Sequence, residues 1–140
     1  MRCFFIGHGD APETVVPRLL QAVETHIVTY GVQEFVVGHY GNFDRLAAQA
    51  VRQLKKQHPQ VRLTLLLPYH PTVRPEEPSA EFDGSWYPFD TAVPPRVAVV
   101  KANQKAIDSC EFLIAYVRHT GNARGFLDYA CKRQVQVWQI

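Results

Sequence analysis

The stretch Phe35-Val36-Val37-Gly38-His39-Tyr40-Gly41-Asn42-Phe43-Asp44-Arg45-Leu46-Ala47-Ala48-Gln49-Ala50-Val51 decides the fold. It opens on a short continuous apolar run, the signature of a strand buried on both faces. It then passes through a turn with two glycines. Beyond the turn, Phe43, Leu46, Ala47, Ala50, Val51 and Leu54 recur at helical spacing, which predicts an amphipathic helix ending near Pro59. A fully apolar strand feeding straight into such a helix is half of a β-α-β unit.

The same grammar extends in both directions. Residues 3–7 form a buried strand, and a helical region begins at Ala11-Pro12-Glu13, carries Leu19, Leu20, Val23 and Ile27, and closes at Gly31. Pro17 belongs in its first turn. Residues 34–38 are the second strand and 61–67 the third. Further on, the pattern predicts a short strand at 97–100, a helix at 101–109, a strand at 112–117, a helix at 123–133 and a last strand at 135–140. The expected fold class is α/β: three layers, with a mainly parallel sheet and helices on both faces. At 140 residues the chain makes one domain, 1–140.

Four apolar runs end at a histidine, namely His8, His39, His70 and His119. In one parallel sheet these four come out at the carboxyl edge, where open α/β sheets bind ligands. Gly7 and Gly38 stand immediately before two of them, and backbone at such a turn can approach a phosphate or ribose closely. His8 and His39, on neighbouring strands, are the pair expected to share a pocket, whereas His26 and His58 read as surface residues. No His-x-x-x-His spacing or Cys/His pairing supports a metal site, and no cofactor motif is present.

Composition narrows the function. The formal net charge of +2 does not support a nucleic-acid surface, and Arg52, Lys55 and Lys56 read as the solvated face of a helix. Cys3, Cys110 and Cys131 are odd in number and far apart, so no disulfide framework is indicated and a reducing cytoplasm is the expected location. The apolar start is too short for a signal peptide or a membrane span.

Residues 68–96 break the pattern. Seven of the ten prolines lie there, together with Phe82, Trp86, Tyr87 and Phe89. An irregular insertion of this length is typically a lid or an interaction surface. Its aromatics either pin the loop to the body or stack on a ligand, and sequence does not separate the two.

Gly38-His39-Tyr40-Gly41-Asn42-Phe43-Asp44-Arg45-Leu46-Ala47 resembles the Gly-rich turn with a following Asp of the SLOG superfamily, which includes the lonely-guy nucleotide hydrolases and the Smf/DprA proteins. Thr120-Gly121-Asn122-Ala123-Arg124 stands where that superfamily has its second Gly-rich turn. The resemblance covers nearly the whole chain and is nearest to small, single-domain, uncharacterised bacterial members. It implies a Rossmann-like sheet with a nucleotide or nucleotide-derived ligand between the two turns, and a homodimer. Asp44 would then hydrogen-bond a ribose hydroxyl, and the amides of Gly41, Asn42, Gly121 and Asn122 would face phosphate. Read from spacing alone, Asp44 is a helix N-cap, and it is the resemblance that turns it toward a ligand. Arg124 is either a phosphate grip or an ordinary surface arginine.

The lonely-guy enzymes carry a catalytic Glu and Arg that this chain lacks. The Glu falls on Gly125 and the Arg near Ala102 or Asn103, while Asp128 reads as a surface carboxylate. The expected function is therefore binding of a nucleotide-derived molecule, as a sensor or regulatory protein. One alternative is hydrolysis of an N-glycosidic bond, with Asp44, Asp128 or a strand-end histidine replacing the missing groups. The other is a protein-interaction module built on the 68–96 insertion.

Overall fold

The computed structural model describes residues 1–39, 41–72 and 81–140. Its elements are β1 (Arg2–Gly7), a 3-10 turn (Glu13–Val15), α1 (Val16–Val28), β2 (Glu34–Val37), α2 (Asn42–Lys55), β3 (Arg62–Leu66), β4 (Gly84–Trp86), α3 (Pro95–Ser109), β5 (Phe112–Tyr116), α4 (Asn122–Lys132) and β6 (Gln136–Gln139). The six strands form one sheet in the order β4-β3-β2-β1-β5-β6, and every pairing is parallel.

Strand order runs outward from β1 through β2 and β3 to β4, then returns to place β5 on the other side of β1. That reversal is a topological switch point, where neighbouring loops leave in opposite directions and open a crevice at the carboxyl edge.

Side chains alternate across each strand, so one sheet feeds two cores. Phe5, Phe35, Val37, Leu63 and Ile114 face α1 and α2, meeting Leu19, Val23, Leu46 and Val51. Phe4, Ile6, Val36, Leu66 and Leu113 face α3 and α4, meeting Ala102, Ala106, Ile107 and Leu127. This is the expected three-layer, Rossmann-like α/β architecture. Among the described residues no helix is long and apolar enough to cross a membrane.

The local readings need three corrections. Residues 97–100 are not a strand but belong to α3, which starts at Pro95. Ala98, Ala102 and Ala106 form one buried stripe at four-residue spacing, and Pro95 opens the helix where a missing N–H is harmless. The 68–96 insertion is not irregular throughout. It contains β4, which pairs with β3 and is preceded by Asp83, whose carboxylate accepts the Leu63 amide at 2.8 Å.

His26 is not a surface residue. It is 1% exposed, and its Nδ1–H donates to the Ala22 carbonyl at 2.6 Å, which makes Nδ1 the protonated nitrogen of the neutral ring. Tyr30, Phe112 and Trp138 surround the ring with centroids at 5.2, 5.4 and 5.5 Å. Burial lowers its pKa, outweighing the Ala22 hydrogen bond. His58, just past the end of α2, is half-buried.

Candidate functional site

Because β1, β2, β3 and β5 are parallel members of one sheet, His8, His39, His70 and His119 all follow carboxyl ends. A cavity of about 200 Å³ opens at that edge. Gly7, Gly9 and Gly38 supply a wall of bare backbone, while Asp44, Asn103 and Asn122 supply polar side chains. Leu66, Val99, Ala102 and Phe126 make the apolar remainder.

Gly7 and Gly38 have different reasons to be glycine. A Cβ on Gly7 would stand 2.3 Å from the ring of Phe43, so α2 lies flush on the end of β1. A Cβ on Gly38 would reach to 3.0 Å from Asp44 Oδ2, so the missing side chain lets the carboxylate sit over the end of β2. Asp44 is the third residue of α2, inside the helix rather than at its cap, which is Gly41. The partial positive charge of a helix start favours an anionic group at that position.

Four of the expected site residues therefore converge on the cavity: Gly7, Gly38, Asp44 and Asn122. The turn at Gly41 and Asn42 is used differently. The Asn42 amide donates to the Gly9 carbonyl at 3.0 Å and its side-chain Nδ2 to the Ala11 carbonyl at 2.5 Å. A Cβ on Gly41 would lie 2.7 Å from the Gly9 Cα, so these two loops touch backbone to backbone. Asn42 therefore ties the loop after β1 to the start of α2 instead of presenting its amide to a ligand. Gly121 has φ +145°, a region that favours glycine, and caps α4 outside the cavity lining. Arg124 and Asp128 are exposed on α4, also outside the lining.

His8 and His39 do not share a pocket. His39 is exposed, whereas His8 is 6% exposed and faces β5. Its Nε2 accepts the Arg118 amide at 2.8 Å and, more weakly, the His119 amide at 3.4 Å. An acceptor nitrogen carries no proton, so His8 is the neutral Nδ1–H tautomer. Burial lowers its pKa, as do the charges of His119, Arg118 and Arg124, with Asp10 opposing them. His8 thus joins two loops and donates nothing to the cavity. Among the described residues no three His, Cys, Asp or Glu side chains converge as a metal site would need.

Gly9, Asn103 and Phe126 were missed by the sequence reading. Asn103 was legible as part of the Val99-Ala102-Asn103 face of α3, had 97–100 been read as helix. Its Nδ2 donates to the Val99 carbonyl one turn back, at 2.8 Å. Ala102 and Asn103 both reach the cavity and bring no cation to it.

A second cavity, of about 490 Å³, lies beside the first and shares Pro68 with it. Tyr69, His70, Tyr87, Phe89 and Asp90 are among its lining residues. The aromatics of the insertion divide accordingly. Phe82 lies under the Arg52 guanidinium at 4.9 Å and Trp86 under that of Arg2 at 5.1 Å, both packed on the cores. Tyr87 and Phe89 line the cavity. No protein-family model matches this chain, and no curated protein sequence matches it.

Proposed function

We propose that this protein binds a nucleotide or nucleotide-derived small molecule in the Asp44 cavity, as a sensor or regulatory protein of bacterial cytoplasm acting as a homodimer. The observation that carries the reading is the convergence of Gly7, Gly38, Asp44 and Asn122 on one cavity beside the reversal in strand order. Asp44 would accept hydrogen bonds from ribose hydroxyls. The start of α4, where Asn122 reaches the cavity, would take the phosphate on its unpaired amides. The resemblance to the SLOG superfamily in both Gly-rich turns supports the same assignment.

Binding is preferred over N-glycosidic cleavage because, among the described residues, Asp44 is the one carboxylate in the lining, and Ala102 and Asn103 stand where the resemblance would put the hydrolase cation. A thermal-shift screen against AMP, ADP-ribose, NAD, cyclic dinucleotides and cytokinin-type nucleotides tests this. A ligand at a hundred times its Kd adds about 2.7 kcal/mol, a shift of several degrees for a chain of this length. Asp44→Asn is expected to abolish the shift. Absence of a shift with every compound overturns the reading, and release of free base by the wild type would replace it with hydrolysis.

A further inference from the structure

We propose that the 490 Å³ cavity at the carboxyl ends of β3 and β4 receives the nucleobase, stacked on Tyr87 with Phe89 bracing that ring edge-on, while ribose and phosphate occupy the Asp44 cavity. This assignment rests on the nucleotide reading above and specifies which end of the ligand goes where.

Proximity is the first argument. The two cavities adjoin at the carboxyl edge and share Pro68 in their linings, within the span of one nucleotide. The smaller has the polar groups and bare backbone that suit a ribose phosphate, and the larger has room for a bicyclic ring.

The second argument is the aromatic wall. His70 stands edge-on to Tyr87 at 5.2 Å and 82°, and Tyr87 edge-on to Phe89 at 5.3 Å and 80°. Phe89 packs in turn against the core under α3 and α4. Three rings in series, anchored at one end, hold each other's tilt, so the surface is organised before a ligand arrives. Base stacking on such a surface needs only a planar π-face.

Charge is the third. Among the described residues no lysine or arginine lines this cavity, and the Asp90 carboxylate does. The neighbouring start of α3 is Pro94-Pro95, two residues without N–H groups, and the Val97 amide is bonded to the Pro94 carbonyl at 3.1 Å, so this helix start presents fewer amides than most. The described lining thus favours a neutral hydrogen-bond donor over an anion. A carboxylate accepts hydrogen bonds from the exocyclic amino group of a base.

Calorimetric titration of AMP and of ribose 5-phosphate into wild type, Tyr87→Leu and Tyr87→Phe separates the possibilities, with circular dichroism confirming the fold of each variant. Leucine keeps the apolar volume without the ring, and phenylalanine keeps the ring. Support is a loss of AMP affinity of about tenfold or more in Tyr87→Leu, unchanged ribose 5-phosphate affinity, and near wild-type behaviour of Tyr87→Phe. Equal AMP affinity in wild type and Tyr87→Leu overturns the base assignment and leaves the nucleotide reading standing. An equal loss of both ligands also overturns it, because Tyr87 would then act through the ribose phosphate. A wild type that binds neither of these compounds nor any other nucleotide of the thermal-shift panel overturns both proposals.

Discussion

The imidazoles of His8 and His119 lie parallel, 9° apart in tilt with centroids separated by 3.7 Å, while His8 Nε2 accepts the Arg118 amide at 2.8 Å. His8 follows β1 and His119 follows β5, the two strands that flank the reversal in order. The contact is therefore a clasp across the mouth of the crevice, and it holds only while His8 is neutral.

Acid should open that clasp. Burial first, then the charges of His119, Arg118 and Arg124, lower the His8 pKa in the fold, against the pull of Asp10. An unfolded histidine titrates near pH 6.5. The stability His8 contributes is thus fully present above about pH 6.5 and is lost as pH falls through the lower folded value. His26 acts with the same sign. Tm measured against pH is expected to drop on the acid side of 6.5. His8→Phe, which keeps a ring but no acceptor, should cost about 1–3 kcal/mol at neutral pH and make the acid slope shallower. A slope unchanged by His8→Phe would show that His8 is not the titrating group.

Gly7 and Phe43 form the tightest strand-to-helix contact at the site. The Phe43 ring is fully buried, near-parallel to Tyr116 at 6.1 Å and edge-on to Phe5 at 6.4 Å, so it has no free direction in which to yield. Gly7→Ala should destabilise the protein by about 1–3 kcal/mol in urea unfolding, the range for overpacked cores. Combined with Phe43→Leu, part of that loss should return as a favourable coupling. Strict additivity of the two changes would mean the strain is relieved elsewhere.

Asp83 secures β4 and with it the base of the aromatic wall. Its Oδ2 accepts the Leu63 amide at 2.8 Å, and its Oδ1 meets Lys55 Nζ. Asp83→Ala removes both, and about 1–2 kcal/mol of stability should go with them. Amide exchange on β3 and β4 is the more local readout: protection at Leu63 and at the Leu67 amide, which donates to Trp86, should fall ahead of that in β1 and β5. Uniform loss across the sheet would contradict a local role.

The readable elements were those whose pattern is local and strong. β1, β2, β3 and β5 are continuous apolar runs, and α1, α2 and α4 carry clear inward stripes. The segment Val97-Ala98-Val99-Val100 misled because three β-branched residues in four read as strand, whereas its alanine stripe becomes visible only over the whole length of α3. Gly84-Ser85-Trp86 has no alternation at all, and it is a strand because β3 had a free edge and Asp83 could tie to it. His26 was legible and misread: it sits three residues after Val23 and seven after Leu19, squarely on the buried face.

Sequence by itself determined that the chain is an α/β sheet protein and that four of its histidines and its glycine turns share one edge. Strand and helix periods are local properties, and parallel strands all point the same way. Which of those residues meet was decided only by the tertiary structure, because strand order comes from the crossovers and leaves no mark in local periodicity. Placing β5 beside β1 put His119 on His8, left His39 exposed, and brought Asn122 to the cavity of Asp44. Contact between two loops far apart in the chain likewise turned Asn42 toward Gly9 and Ala11, a choice no spacing in the sequence records.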